Sequence, residues 1–312
     1  MNRFIAWLPD RVDRRIRFFA WLSFLAQTTI IATGGAVRLT GSGLGCPTWP
    51  TCTADSLVPT EELTYHSLIE FGNRLMTGVV GIVALILFIL VWRIRAERRD
   101  LFTLSFIVGA GIVAQAIVGG ITVWTGLNPF IVGFHYVSSL LLVCVAAAFL
   151  ARMDSAPGPR ERAVPGWYLA LAHATSAVLA ISIVFGVLTT GAGPHSGDAA
   201  AGRNGFNAEL LEHVHAWPGY AMFALTIALV IGAATLKLPT LRWAIVLLAV
   251  ELVQIAVGLY QARNGLPPLA VGIHMVLAAL TAATMTVVIL HLKRPVTADA
   301  ATAASPVEAA TR

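Results

Sequence analysis

The chain has 312 residues, of which 57% are hydrophobic and 12% charged, with a mean hydropathy of +0.78. That balance excludes an ordinary soluble domain and places the chain among integral membrane proteins. The formal charge of +5 would suit a nucleic-acid partner only if it were gathered on one face, and its distribution along the chain excludes that too.

Residues 1–17 carry Arg3, Arg11, Arg14, Arg15 and Arg17, which predicts a basic cytoplasmic segment forming an interfacial amphipathic helix. A basic start before an apolar run also fits a signal peptide in outline. Further spans follow, however, and no clear cleavage site stands out. Apolar runs predict membrane helices over 18–36, 66–92, 101–123, 130–151, 167–190, 208–235, 241–262 and 268–291. Leu101–Ala151 alone contains no Asp, Glu, Lys or Arg over 51 residues. A hydrocarbon layer takes about 20 helical residues per pass, so that stretch holds two passes. Residues 292–312 read as a disordered cytoplasmic tail, Ala/Thr-rich from Thr297 onward.

The basic residues orient these spans. With the N-terminus inside, 17 of the 21 Lys and Arg fall on the cytoplasmic side, and only Arg38, Arg74, Arg203 and Arg263 fall outside. This is a positive-inside pattern for a multi-pass protein of the cell membrane with both termini cytoplasmic. The excess charge is therefore topogenic.

The chain also repeats itself. Gln115–Leu141 and Gln254–Leu280 align without a gap, with 11 of 27 positions identical. The matches include Gln115/Gln254, Gly119/Gly258, Gly126/Gly265, Pro129/Pro268, Gly133/Gly272 and His135/His274. Apolar segments of similar composition do not readily share a Gln, a Pro, a His and three Gly by chance, so an internal duplication is inferred. The fold expected is all-α and integral to the membrane. Its eight transmembrane helices form two tandem four-helix bundles related by a pseudo-twofold axis along the membrane normal. Residues 18–151 make the first repeat, 152–166 a cytoplasmic linker and 167–291 the second repeat.

The polar residues gather near the outer ends of the even-numbered spans: Glu70 and Asn73 on the second, His135 on the fourth, His213 and His215 on the sixth, and His274 on the eighth. Imidazoles on facing helices suit a haem site, and a His215–His274 pair would make one bis-histidine site. The bland alternative is that each His bonds a neighbouring helix. His213 and His215 are two apart and point different ways, so one of them at most serves.

His66, Glu70 and Asn73 share a helix face, with Arg74 next in sequence. Glu70 can move protons or bind a reacting centre, or it can be a helix-end acid. Arg74 can pair with a haem propionate or snorkel to the interface. Cys46 and Cys52 flank an external Pro-rich loop, where a disulfide is permitted as a staple or a redox device. Cys144 reads as packing. Glu251, mid-span, handles protons or packs between helices. His195 either covers a cofactor or lies on the surface.

Together these stretches resemble the haem A synthase family, of the bacterial type: GSGLGCPTWPTC (41–52), IEFGNRL (69–75), GFH (133–135), TGAGPHSGD (190–198), HVHA (213–216) and GIH (272–274). The resemblance covers the core from about 18 to 291 and implies an oxidoreductase that converts the C8 methyl of haem O to a formyl group. The product, haem A, would serve terminal oxidase assembly. It implies Glu70 as catalytic, and a substrate-haem site around His135 with Asn73, His66 and Arg74. It further implies His215 and His274 as axial ligands of a haem b cofactor, and Cys46 and Cys52 as a disulfide pair. The expected partners are haem O, a haem O synthase and an electron donor, with a homo-oligomer left open.

Two features depart from the family pattern. Asn73 stands where the family often has His, and the later external loop lacks a cysteine pair. Two other readings stand beside this one: a b-type electron-transfer cytochrome, and a transporter built on repeats.

Overall fold

A computed structural model of the protein describes residues 7–60 and 64–296. Eight helices are long and apolar enough to cross a membrane: α1 (Arg14–Leu39), α2 (Tyr65–Val91), α3 (Arg99–Trp124), α4 (Pro129–Met153), α5 (Gly166–Ala192), α6 (Ala208–Thr235), α7 (Leu241–Arg263) and α8 (Pro268–Leu290). Two short strands, β1 (Arg160–Arg162) and β2 (Lys293–Pro295), complete the described elements. The protein is thus a multi-pass membrane protein whose spans are all helical.

Local chemistry sets the helix ends. α1 starts at Arg14, four residues before the hydropathy boundary, because Asp13 caps it. The Asp13 side chain accepts from the backbone N–H groups of Arg15 and Ile16. Of the amphipathic helix expected over 1–17, residues 1–6 lie outside the described residues, residues 8–13 are not helical, and the last four residues belong to α1. Thr64 and Ser67 form a capping box at the start of α2. Pro129 and Pro268 occupy the first turns of α4 and α8, where a missing N–H costs nothing.

The turns before α4 and α8 match each other in detail. Gly126 (φ 59°) and Leu127 (φ 59°) both adopt left-handed backbone, as do Gly265 (φ 71°) and Leu266 (φ 57°). The Leu127 N–H donates to Thr122 O at 2.8 Å and the Leu266 N–H to Gln261 O at 2.9 Å. Each closes the preceding helix in the manner of a Schellman motif.

Helix α1 packs on α2 and α4, and α3 packs on α2 and α4. Likewise α6 packs on α5 and α7, while α8 packs on α7 and touches α5. Between these quartets, α8 lies against both α1 and α4, and α4 also meets α5. The seam joins Ile31, Leu140, Val143 and Ala147 to Ala279, Ala283 and Val287. Small residues there let the helices approach closely, which counts in a bilayer because lipid offers no hydrophobic drive between helices. Large apolar residues such as Leu75, Ile82, Phe106, Val113 and Leu252 point outward, as a lipid-facing surface requires.

The tail expected from residue 292 begins with order. β2 pairs antiparallel with β1 of the 152–166 linker, Glu161 opposite Arg294, and Arg294 Nε bonds Glu161 Oε1 at 2.7 Å. The cause is backbone pairing between two polar segments, which hydropathy does not register. Residues 297–312 lie outside the described residues.

Candidate functional site

The His rings expected in the second quartet face each other. His215 on α6 and His274 on α8 have ring centroids 6.1 Å apart at 83°. Metal–imidazole bonds run about 2 Å, so two in line through one iron place ring centres roughly 6 Å apart. The pair therefore has the spacing of bis-histidine haem ligands. His215 Nδ1 donates to Ser182 O at 2.9 Å, which fixes its ring. Its neighbour His213 is exposed and does not line the cavity, so His215 is the inward-facing one.

Glycines make room for these rings. A Cβ on Gly186 of α5 would lie 2.8 Å from His215 Cε1, and one on Gly258 of α7 would lie 3.1 Å from His274 Cε1. In the first quartet a Cβ on Gly119 would stand 3.5 Å from His135 Cε1. The duplicated Gly residues thus pack against the duplicated His residues. Duplicated glutamines hold the same helices. Gln115 Nε2 donates to His135 O at 3.3 Å and Gln254 Nε2 to His274 O at 3.2 Å.

The unsatisfied groups match as well. His135 Nδ1, His274 Nδ1, Gln115 Oε1 and Gln254 Oε1 are buried without a protein partner among the described residues. Such orphans are costly in a dry interior, and a polar or iron-bearing ligand at each His fits them.

A cavity of about 320 Å³ runs between the quartets, lined by Asn73 and His135 at one end and by His215, Gln254 and His274 at the other. A second cavity of about 310 Å³ adjoins it, with Glu70, Arg74, Trp49 and Pro50 in its wall. Asn73, His135, Gln115 and Arg38 line both.

Glu70 is 5% exposed and fully engaged. Its Oε2 accepts from the Cys46 N–H at 2.6 Å, and its Oε1 accepts from Arg74 Nη2 at 2.5 Å. Arg74 also donates to Cys46 O and Thr51 O. Carboxylate and guanidinium together clamp the Cys46–Cys52 loop onto α2. Arg74 is therefore committed to the loop as well as facing the cavity. Glu212 precedes His215 at the same spacing as Glu70 precedes Asn73, yet Glu212 is exposed. The two carboxylates differ by environment, which the spacing alone does not reveal.

Cys46 and Cys52 are buried and disulfide-bonded. Protein isolated without reductant is expected to resist thiol alkylation at both positions, and mass spectrometry showing both freely labelled would contradict the bond. Closing so short a loop contributes about 2 kcal/mol on the chain-entropy account. Cys46→Ser with Cys52→Ser should accordingly lower folded yield more than turnover per folded molecule.

His66 stands apart. It is exposed, bonds Ser42 Oγ through Nδ1 at 3.0 Å, and lines neither cavity. Asn73 does face the cavities, and its Oδ1 accepts from Thr33 Oγ1 at 2.7 Å. Glu251 is 4% exposed, lines the larger cavity and accepts from Thr226 Oγ1 at 2.8 Å through Oε1. Cys144 is a free, half-buried thiol on α4.

Two cavity residues carried no clear signal in the sequence. Arg38, at the C-terminal end of α1, donates to His195 O at 2.7 Å and to Thr190 O at 2.9 Å. Tyr136 Oη donates to Met275 O at 2.9 Å, across the quartets. In the sequence Arg38 stands out only as one of four basic residues outside the positive-inside pattern, which says nothing of these contacts. His195 Nε2 donates to Leu266 O at 2.8 Å, and Thr190, Gly193, Pro194 and His195 of the 190–198 loop line the larger cavity.

The family model described as Cytochrome oxidase assembly protein matches residues 17–196. A protein named Heme A synthase from Lysinibacillus sphaericus (strain C3-41) is 37% identical over 142 residues, 45% of each chain. Proteins of the same name from Geobacillus kaustophilus (strain HTA426) and Listeria welshimeri are 33% identical over 131 residues and 31% over 136. These matches cover 42% and 43% of this chain, and 41% and 44% of the relatives. The chain thus aligns with less than half the length of the curated relatives it matches. The family match takes in Cys46, Cys52, Glu70, Asn73, Arg74 and His135, and stops short of His215 and His274. It spans more than half of the sequence, and the chain belongs to the cytochrome oxidase assembly protein family.

Proposed function

We propose that the protein is a haem A synthase, an oxidoreductase that converts the C8 methyl of haem O to a formyl group for terminal oxidase assembly. The observation that carries this is a facing His215–His274 pair in one cavity with His135 and Asn73. Two equal electron-carrying sites would call for two equal pairs, whereas here one end has His against His and the other His against Asn.

In this reading His215 and His274 hold haem b, which supplies one-electron transfer when bound. Ser182 orients the His215 ring, and Gln254 holds the α8 backbone at His274, through the contacts described. His135 binds the substrate haem O, and the two cavities accommodate it between α1, α2, α3 and α4. Glu70 is the acid–base group. It can take up a proton at Oε1 only as the Arg74 contact loosens, so Arg74 sets when the carboxylate is available. The Cys46–Cys52 loop and the 190–198 loop shield the outer ends from water.

The two quartets are tandem repeats about a pseudo-twofold axis along the membrane normal. The paired Gln–His, Gly–His and turn contacts support that relation. Both termini are cytoplasmic, as the distribution of basic residues supports. A haem O synthase upstream and an electron donor are the implied partners.

Co-expression with a haem O supply, then chromatography of haems extracted from the purified protein and membranes, tests this. Haem A in the extracts and two haems per chain are expected. Haem B alone beside unconverted haem O would replace the proposal with an electron-transfer cytochrome.

A further inference from the structure

We infer that the first-quartet site binds its haem through His135 alone, with the Asn73 carboxamide N–H over the opposite face, so that this site admits a small diatomic ligand. This rests on the haem-site reading above.

The two quartets supply the same four positions. In the second, Gly186 of α5 abuts His215 of α6, and Gly258 of α7 abuts His274 of α8. In the first, Gly34 of α1 abuts Asn73 of α2, with 3.9 Å from a Cβ to Asn73 Oδ1, and Gly119 of α3 abuts His135 of α4. Asn73 therefore occupies the place of the second imidazole. A carboxamide is shorter than an imidazole and is not among the usual axial ligands of haem iron, which are His, Cys, Met and Tyr. The change both removes a ligand and leaves space.

Thr33 sets which end of the amide faces that space: its hydroxyl lies 2.7 Å from Asn73 Oδ1 and farther, 3.3 Å, from its other acceptor, Ile30 O, so its one proton goes to the closer oxygen. With Oδ1 held by Thr33, the amide Nδ2 keeps its N–H groups for the cavity. Asn73 and His135 line both cavities, so a donor and a single imidazole border the same space. Other iron-ligating side chains on that cavity wall are Met275 of α8, its Sδ 3.6 Å from a Cβ at Gly35, Tyr136 of α4, whose hydroxyl is taken by Met275 O, and His195, whose Nε2 is taken by Leu266 O.

Carbon monoxide binding to the reduced, haem-loaded full chain tests the inference, read by absorption, electron paramagnetic resonance of the oxidised form and infrared spectroscopy. Wild-type protein with two haems per chain should bind carbon monoxide at one of them and show a high-spin component. His135→Ala should lose that fraction. Asn73→His should turn it low-spin and abolish carbon monoxide binding, while the low-spin haem of the second quartet confirms that the variant is folded. Asn73→Leu should still bind, raise the C–O stretching frequency and release the ligand roughly ten-fold faster, the scale of one lost hydrogen bond.

Two low-spin haems and no carbon monoxide binding in the wild type would overturn the inference, and recovery of binding in Met275→Leu would name the competing ligand. Binding that survives Asn73→His unchanged would overturn it equally. A chain carrying haem in the second quartet only would instead remove the first-quartet haem site from the proposed function, and this inference with it.

Discussion

His274→Ala is expected to abolish the low-spin haem b spectrum while the protein still inserts into the membrane. His274 stands on the wall of the cavity rather than in the seam of small residues that joins α8 to α1 and α4, so its loss removes a ligand without loosening the helix packing. The partner ring His215 would remain fixed by Ser182, but one imidazole does not make a low-spin bis-histidine site. His213→Ala should leave the spectrum intact because His213 is exposed. An unchanged spectrum in His274→Ala would end the assignment, and its loss in His213→Ala would move the ligand by two residues.

The second large effect is expected from Glu70→Gln: haem b retained, haem A formation reduced at least ~100-fold, the lower range for removing a general acid–base group. The structure adds a complication that the experiment must meet. Glu70 accepts from both the Cys46 N–H and Arg74, and Gln has one accepting oxygen, so its amide N–H groups must face one of those donors. Loosening of the loop would also lower turnover. Alkylation of Cys46 and Cys52 separates the two causes, since a disordered loop exposes them to reductant and label while lost acid–base chemistry does not. A pH profile of haem A formation adds a second discriminator, because Glu70→Gln should flatten the limb set by the carboxylate. Wild-type haem A levels in Glu70→Gln would return Glu70 to a purely structural clamp.

The eight spans were legible because hydropathy over 20 or so residues is set by the bilayer. Their ends were less legible, since Asp13 caps α1 among charged residues that the same averaging counts against a helix. The repeat revealed more than the two His. Gln115/Gln254 and Gly119/Gly258 were among its identities, and in the structure they contact the very helices and rings that the His residues belong to. What stayed hidden was tertiary. Arg38 reaches Thr190 and His195, residues too distant in sequence for any periodicity to connect. Glu70 and Glu212 have the same local spacing, and the docking of the Cys46–Cys52 loop buries Glu70 alone of the two. The polar tail looked unstructured from residue 292 because its partner, Arg160–Arg162, is equally polar.

The position of α8 also bears on how the molecule is made. It is the last of the eight spans to leave the ribosome, yet it lies in the middle, against α1, α4 and α7 at once. Until it arrives, Ile31, Leu140 and Val143 face an open seam that Ala279, Ala283 and Val287 later fill. One of the two facing imidazoles travels with it. The nascent chain can therefore thread seven helices into the bilayer and still have no enclosed chamber. On the proposed reading, cofactor capture follows synthesis of α8, when β2 can also reach back and pair with β1.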